Sequence, residues 1–416
     1  MKWLFWISVA AVAYAYVGYP LVLWVQARLH SRHIAKSPIT PTISIVISVH
    51  NEAARLPSKL RNLAALDYPR ERCQVVVASD GSTDGTNELL AGNHSVRSAI
   101  CPVNRGKAAA LNAALAVATG EIVVFTDVRQ EIEISAVREL VANFADSTVG
   151  CVSGELMLRS PGSDNRENGV SMYWRLEKLI RKLEAATGSV VGATGAIYAV
   201  RRSLVPVLPE GTLLDDVYIP LAVARQQYRV VFEPAARAWD DAAAAGEQEF
   251  RRKVRTLAGN YQLLQIAPWL LSSSNRLRFR FLSHKLARLA VPFLLVSIFL
   301  SSVALWGNEF YRLVVALQAI FYLLAIIGLW TQTSSCFTAV PASFCLLNAA
   351  AAAALFSFLR YRNSPMLLWK KDALSLDNSA EVLAGRDRPC LTAERVEDAA
   401  AVCAARGADR MTGEAR

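Results

Sequence analysis

Hydrophobic residues fall along the 416-residue chain in two distinct patterns. Long, nearly unbroken apolar runs lie toward both ends, and short β-branched runs alternate with amphipathic stretches in the middle. Trp3 to Val25 is apolar apart from small residues and Tyr. That is long enough to span the roughly 30 Å of bilayer hydrocarbon. Arg28, Arg32 and Lys36 follow it, whereas Lys2 is the only side-chain cation before it. This asymmetry places the next domain in the cytoplasm. A cleaved signal peptide is the alternative, but the run is long for one and cations follow directly. Three further spans are expected at about Leu286–Trp306, Leu313–Trp330 and Phe337–Leu359. They create a conflict. Three crossings after a cytoplasmic domain leave Arg360, Arg362, Lys370 and Lys371 outside, against the positive-inside rule. Either one segment is re-entrant or interfacial, or the rule is broken.

In the middle, Thr42–Val49 (TISIVISV) reads as a buried first strand, and Leu56–Leu66 as a helix with Leu56, Leu60 and Leu63 on one face. Gln74–Ser79 reads as a second strand, running into the polar loop DGSTDGT that starts at Asp80. Val96–Cys101 is a shorter strand, Ala108–Ala118 a helix, and Ile122–Phe125 a buried strand that stops at Thr126-Asp127. An apolar strand around Ile197–Val200, a helix over Ile219–Ala224 and a last strand at Val230–Glu233 follow. Strand and helix in this rhythm predict an α/β fold with a mostly parallel, doubly wound sheet.

The resulting organisation is an N-terminal transmembrane helix (1–27), a cytoplasmic α/β domain (40–250) and an amphipathic interfacial segment (251–283). C-terminal transmembrane helices (284–360) and a tail (361–416) complete it. In the interfacial segment basic residues alternate with Leu, Tyr, Trp and Phe, which suits a membrane surface. The tail is Ala-, Arg- and Glu-rich with weak periodicity, which predicts mobility. Composition agrees: 53% of residues are hydrophobic, high for a soluble enzyme. The net charge is +10, and its basic residues flank the apolar runs, so anionic lipids rather than nucleic acid are the expected partner. The seven cysteines contain no C-x-x-C and suggest neither a zinc site nor a disulfide framework. Cys73, Cys101 and Cys151 read as small core residues of a reducing compartment.

Candidate chemistry sits at strand ends. Asp127 ends a buried strand where α/β sheets bind ligands, although Asp also commonly starts a turn. Gly106-Lys107 opens a helix and offers an anion site, without the spaced glycine of a P-loop. The Gly192–Gly195 stretch is either a close backbone approach to a cleft or an ordinary turn. Asp215-Asp216 precedes a helix, where an N-cap accounts for one carboxylate but not for two.

The ordered series SVHNE, SDGSTDGT, NRGKAAALN, FTDVRQ, GATGAIYAVRR, LDDV and RKVRTLAGN resembles the family 2 glycosyltransferases. It is most similar to the membrane-embedded branch that includes hyaluronan, chitin and cellulose synthases and bacterial polysaccharide enzymes. The resemblance covers about Thr42–Gln262 and implies a GT-A fold that binds a nucleotide-sugar and Mg²⁺ or Mn²⁺. It implies that Asn51, Glu52 and Asp80 line the nucleoside pocket, that Lys107 sits near the nucleotide, and that Asp127 holds the metal. Asp216 would be the general base and Arg255 would meet the diphosphate, with Gly195, Asp215 and Arg252 on the acceptor side. Two departures stand out. The second Asp of the family's D-x-D is Arg129, and in the Q-x-x-R-W motif Arg252 and Thr256 replace Gln and Trp. The expected activity is therefore an inverting transfer of one or a few sugars, with UDP the first nucleotide to consider. The acceptor would be a lipid-linked or saccharide molecule at a bacterial inner membrane. A homologue that binds nucleotide without catalysis is the alternative.

Overall fold

The computed structural model describes residues 1–159, 168–241, 247–331, 335–362 and 391–392. The chain opens with α1 (Lys2–Ala13), which runs through a π turn into α2 (Tyr19–Leu29) as one apolar rod. Next come β1 (Ile43–Val49), α3 (Leu56–Ala64), β2 (Cys73–Asp80), α4 (Thr86–Ala91), β3 (Arg97–Cys101), α5 (Lys107–Val117) and β4 (Ile122–Phe125). These match the expected elements to within about two residues. Beyond them lie β5 (Glu131–Ile132), α6 (Ala136–Ala142), β6 (Val149–Arg159), α7 (Asn168–Ala186), β7 (Tyr198–Arg201), α8 (Asp215–Arg225) and β8 (Arg229–Asp241). The series ends with α9 (Glu247–Ile266), α10 (Arg278–Arg280), α11 (Ala287–Ala304), α12 (Glu309–Thr331), α13 (Cys336–Tyr361) and β9 (Leu391–Thr392).

The nine strands among the described residues form one sheet in the order β5-β8-β6-β7-β4-β1-β2-β3-β9. From β4 to β3 all pairings are parallel, as the alternation of strands and helices predicts. The other half is mixed. β7 runs antiparallel to both β4 and β6, and the edge strands β5 and β9 are antiparallel to their neighbours. Side-chain alternation in β1 divides the core between the two faces. Ile43, Ile45, Ile47 and Val49 meet Leu56 and Leu63 of α3 and Val137 and Leu140 of α6. Val46 faces the other way, onto Ala110 and Leu111 of α5.

Among the described residues, four helical rods are long and apolar enough to cross a membrane: Lys2–Leu29, Arg278–Ala304, Glu309–Thr331 and Cys336–Tyr361. The third, α12, presents Leu313, Leu317, Ile320 and Leu323 outward, each more than half exposed, as a lipid-facing helix must. The expected interfacial segment is partly different. Its first part is α9, whose Leu263 is fully buried in the α/β core. Its last part, α10, continues through a π turn into α11.

A buried polar cluster joins the apolar rods to the α/β domain. Glu184 of α7 is fully buried and accepts bonds from Tyr19 Oη (2.5 Å) and the Val191 N–H (3.3 Å). His284 bridges Glu184 (2.9 Å) and Glu177 (3.0 Å), and Arg288 donates to Glu177 (2.7 Å). Carboxylates taken from water are tolerable only with such partners. One expectation is corrected here. Cys101 is disulfide-bonded rather than a free core thiol, whereas Cys73 and Cys151 are free. The absence of C-x-x-C spacing says nothing about pairing between cysteines distant in sequence. The tail's expected mobility lies outside the described residues, apart from β9.

Candidate active site

β1, β2 and β4 end at one edge of the sheet, with Val49 opposite Ser79 and Val46 opposite Phe125. Strand order reverses between β1 and β4, and such a switch point leaves a crevice beyond the strand ends. Asn51, Glu52, Asp80 and Asp127 all emerge here. Asn51 adopts a left-handed φ of 54°, and its Oδ1 accepts the Thr83 N–H at 2.8 Å. The Glu52 carboxylate pairs with Arg55 at 2.9 Å. Asp80 is 3% exposed, and its two oxygens accept the N–H groups of Arg105 and Gly106, each at 2.8 Å. Burial raises its pKa, and those two backbone bonds work against the rise. Asp80 thereby ties the end of β2 to the turn that leads into α5. The loops come so close that a Cβ on Gly81 would lie 2.3 Å from the Asn104 nitrogen. Only glycine fits there.

Lys107 begins α5 and reaches into the crevice. Its Nζ lies 3.0 Å from Asp127 Oδ1 and 3.1 Å from Asp215 Oδ1. Burial disfavours its charge, but Asp127, Asp215 and Asp216 outweigh burial and raise its pKa. Asp215 and Asp216 form the first turn of α8, one turn earlier than the expected helix, where the helix dipole favours negative charge. Asp215 is buried, with Tyr198 Oη 3.4 Å from its Oδ2, and the Tyr198 ring stacks on Phe125. Asp216 Oδ2 accepts the Gly195 N–H at 3.1 Å, and its carbonyl accepts the Ala193 N–H at 2.7 Å. Burial and the charge of Asp215 push the Asp216 pKa up to about 6, against the pull of Lys107. A Cβ on Gly195 would lie 3.3 Å from Asp216 Oδ2 and 3.8 Å from Asp127 Oδ2. Both carboxylates thus converge on the bare side of Gly195, which explains the glycine.

Arg129, in the place of the second D-x-D carboxylate, turns to β8. Its Nη2 bonds Asp240 Oδ2 at 2.6 Å, and Gln130 Nε2 bonds the same oxygen at 3.1 Å. Nothing in the sequence pointed to Asp240, 111 positions away. Arg255 stands on α9; burial and the charge of Arg252 lower its pKa, while Asp127 and Asp216 hold it up. Arg252 is tied to Glu249 one turn back on the same helix. Among the described residues no group of three or more His, Cys, Asp or Glu could cage a metal. Asp127, 42% exposed in its side chain, is the available hard-oxygen ligand. Tyr198 and Lys59, the latter treated below, also belong to the site and were not anticipated.

Residues 44–208 match the family described as "Glycosyl transferase family 2". The "Probable glycosyltransferase YdaM" of Bacillus subtilis is 25% identical over 236 residues, which are 53% of this chain and 55% of that protein. The "Poly-beta-1,6-N-acetyl-D-glucosamine synthase" of Staphylococcus aureus is 24% identical over 229 residues, with the same coverage of both chains. The chain thus spans about half the length of these curated relatives. Among solved structures, a mannosyltransferase of Pyrobaculum calidifontis, crystallised with GDP-Man and Mn²⁺, superposes with a TM-score of 0.64. It is 24% identical, and the match covers 85% of this chain and 99% of that one, which establishes a common GT-A fold. The family match and the shared fold together support reading the stretch that begins within β1 as a family 2 glycosyltransferase domain.

Proposed function

We propose that this chain is an inverting, membrane-bound glycosyltransferase. It would move a sugar from a nucleoside-diphosphate sugar to a lipid-linked or saccharide acceptor, by one or a few transfers. The observation that carries the reading is the convergence of Asp127, Asp215 and Asp216 on Lys107 and Gly195 at the sheet's switch point. In a single displacement, the acceptor hydroxyl attacks the anomeric carbon while its proton passes to a carboxylate. Asp216 suits that role because a base with a pKa near the working pH is the most effective. Gly195 fixes one oxygen of Asp216, and no hydrogen bond among the described residues engages the other. The negative charge growing on the departing diphosphate needs cations, which Lys107 and Arg255 supply. Asn51 and Glu52 stand at the rim for the nucleoside. Asp80, with both oxygens committed to the Arg105–Gly106 backbone, shapes that pocket from behind.

A divalent cation, Mg²⁺ or Mn²⁺, at Asp127 would add positive charge to the diphosphate. One carboxylate with no protein cage suits a metal that brings phosphate and water as its other ligands. The relatives' names suggest polysaccharide synthesis, and the solved mannosyltransferase makes GDP-sugars as reasonable to test as UDP-sugars. A second reading is a nucleotide-binding homologue without catalysis, motivated by Arg129. It predicts an Asp216→Asn variant that still complements a deletion. Labelled sugar-nucleotides with membranes containing the chain decide between the two readings.

Side-chain contacts and parity support one membrane arrangement. Phe5, near the start of α1, packs with Ile298 of α11 and Tyr311 of α12, so these three mark the face away from the catalytic domain. Tyr19 and His284, bound to Glu184, mark the near face. α12 therefore returns to the near face. α13 both begins and ends there: Phe358 stacks on Tyr261 of α9, and downstream β9 pairs with β3 in the catalytic sheet. Two C-terminal rods cross, and α13 lies along or dips into the near leaflet against α7 and α9. Arg360 and Arg362 then lie on the catalytic side, and the charge conflict disappears.

A further inference from the structure

The core-facing positions of α3 are Leu56, Lys59 and Leu63, so a lysine stands where the helical period calls for an apolar residue. Lys59 is 3% exposed. Burying an ammonium is costly unless its hydrogens meet acceptors. Its Nζ donates to Thr126 Oγ1 at 3.0 Å and to the Gln130 carbonyl at 2.6 Å. These two atoms bracket the loop that carries Asp127 and Arg129. One turn further along α3, Asn62 continues the pattern. Its amide exchanges two bonds with the Ile132 backbone, both at 2.8 Å. Thr126 Oγ1 in turn donates to the Ala196 carbonyl at 2.8 Å, and Ala196 follows the glycine that holds Asp216. One side chain thus supports both halves of the site: the Asp127 loop directly, and the Gly195 segment through Thr126.

We infer that Lys59 is a positioning residue that fixes the Thr126–Gln130 loop, and with it the presentation of Asp127 to a metal-bound diphosphate. The inference rests on the donor-binding reading above. Its chemistry is that of an outer-shell partner, which orients a ligand without touching the ion. Burial lowers the Lys59 pKa to about 7, while Asp127 and Glu131 raise it. The hydrogen bonds persist in either protonation state, because a neutral amine still donates.

The alternative is a packing role for the aliphatic stem alone, and Lys59→Met separates the two by keeping the stem and removing the donors. The full-length protein in detergent is titrated with Mn²⁺ in the presence of UDP and, in parallel, GDP, with free Mn²⁺ read by electron paramagnetic resonance. Lys59→Met, with far-ultraviolet circular dichroism like that of the wild type, is expected to bind the Mn²⁺–nucleotide roughly 10- to 100-fold more weakly. Lys59→Gln, too short to reach both oxygens, should fall between the two. It carries the comparison alone if Lys59→Met fails to fold. Folded variants that bind within twofold of the wild type overturn the positioning role and leave the donor reading intact. A wild-type protein that binds neither Mn²⁺–nucleotide overturns the donor reading and this inference with it.

Discussion

The Lys107 ammonium lies 3.0 Å from Asp127 Oδ1 and therefore occupies one side of the carboxylate proposed to bind metal. Lys107 is already paired within the protein, with both Asp127 and Asp215. An incoming diphosphate competes with Asp127 and Asp215 for Lys107, while its cation competes for Asp127. Replacing Lys107 with Met leaves three carboxylates facing one another, Asp215 among them buried. Removing one partner of a buried pair typically costs about 3 kcal/mol or more; the exposure of Asp127 reduces the expectation here to roughly 2 kcal/mol. Thermal or chemical denaturation should show that loss, and donor binding should fall with it.

The pH profile follows from Asp216. Its pKa is raised to about 6 by burial and by the charge of Asp215. As a base it acts only when ionised, so kcat/KM should rise with pH through about 6 and level off above. Asp215→Asn removes the like charge, lowers the Asp216 pKa and moves the rise to more acidic pH. A midpoint that stays put or moves upward in Asp215→Asn contradicts the assignment of the base.

Arg129 makes a structural bond that a simple comparison with D-x-D motifs misses. Arg129→Ala leaves Asp240, 4% exposed in its side chain, with Gln130 as its only remaining hydrogen-bond partner named above. The expected cost is about 1–3 kcal/mol of stability. Arg129→Asp restores the motif on paper but sets a second carboxylate beside Asp240. It should destabilise more than Arg129→Ala and should not tighten Mn²⁺ binding. Tighter Mn²⁺ binding in a stable Arg129→Asp protein runs against this account.

Gly195→Ala tests the open side of the site. The added methyl lies 3.3 Å from Asp216 Oδ2 and 3.8 Å from Asp127 Oδ2, in ordinary or tight contact rather than a backbone clash. Stability should change by about 1 kcal/mol or less, while activity falls on the order of 100-fold through displacement of the reacting groups. Parallel, modest losses in both quantities speak against a convergent site at this glycine.

For the membrane arrangement, reporter fusions or cysteine labelling at positions 335 and 362 should place both on the catalytic side. Modification of 362 from the opposite face only rules out a surface-lying α13.

The sequence shows the first half of the fold clearly, because β1 through β4 combine β-branched runs with strand-end polar residues. Such largely buried runs suit the parallel pairings that β1 makes with β2 and β4, and β2 with β3. The second half was harder to read. β7 is four residues long, and nothing in its side-chain pattern records that it runs antiparallel to both neighbours. The Asp215-Asp216 pair was recognisable as more than a cap, and the structure gives each carboxylate its own partners. Lys59 was hidden because a lysine on an amphipathic helix normally reads as solvent-facing. Asp240 was hidden because its pairing with Arg129 is a product of tertiary folding alone. Cys101 shows the same limit, since no local spacing around it marks it for a disulfide.

The central claim is that Asp216 is the base of a sugar transfer within this crevice. The direct measurement incubates membranes containing wild-type or Asp216→Asn protein with labelled UDP- and GDP-sugars and Mn²⁺, and separates lipid-extractable from polymeric product. The account predicts labelled product from the wild type with at least one donor, and loss of that product in Asp216→Asn while Mn²⁺–nucleotide binding persists. Undiminished product from Asp216→Asn contradicts it.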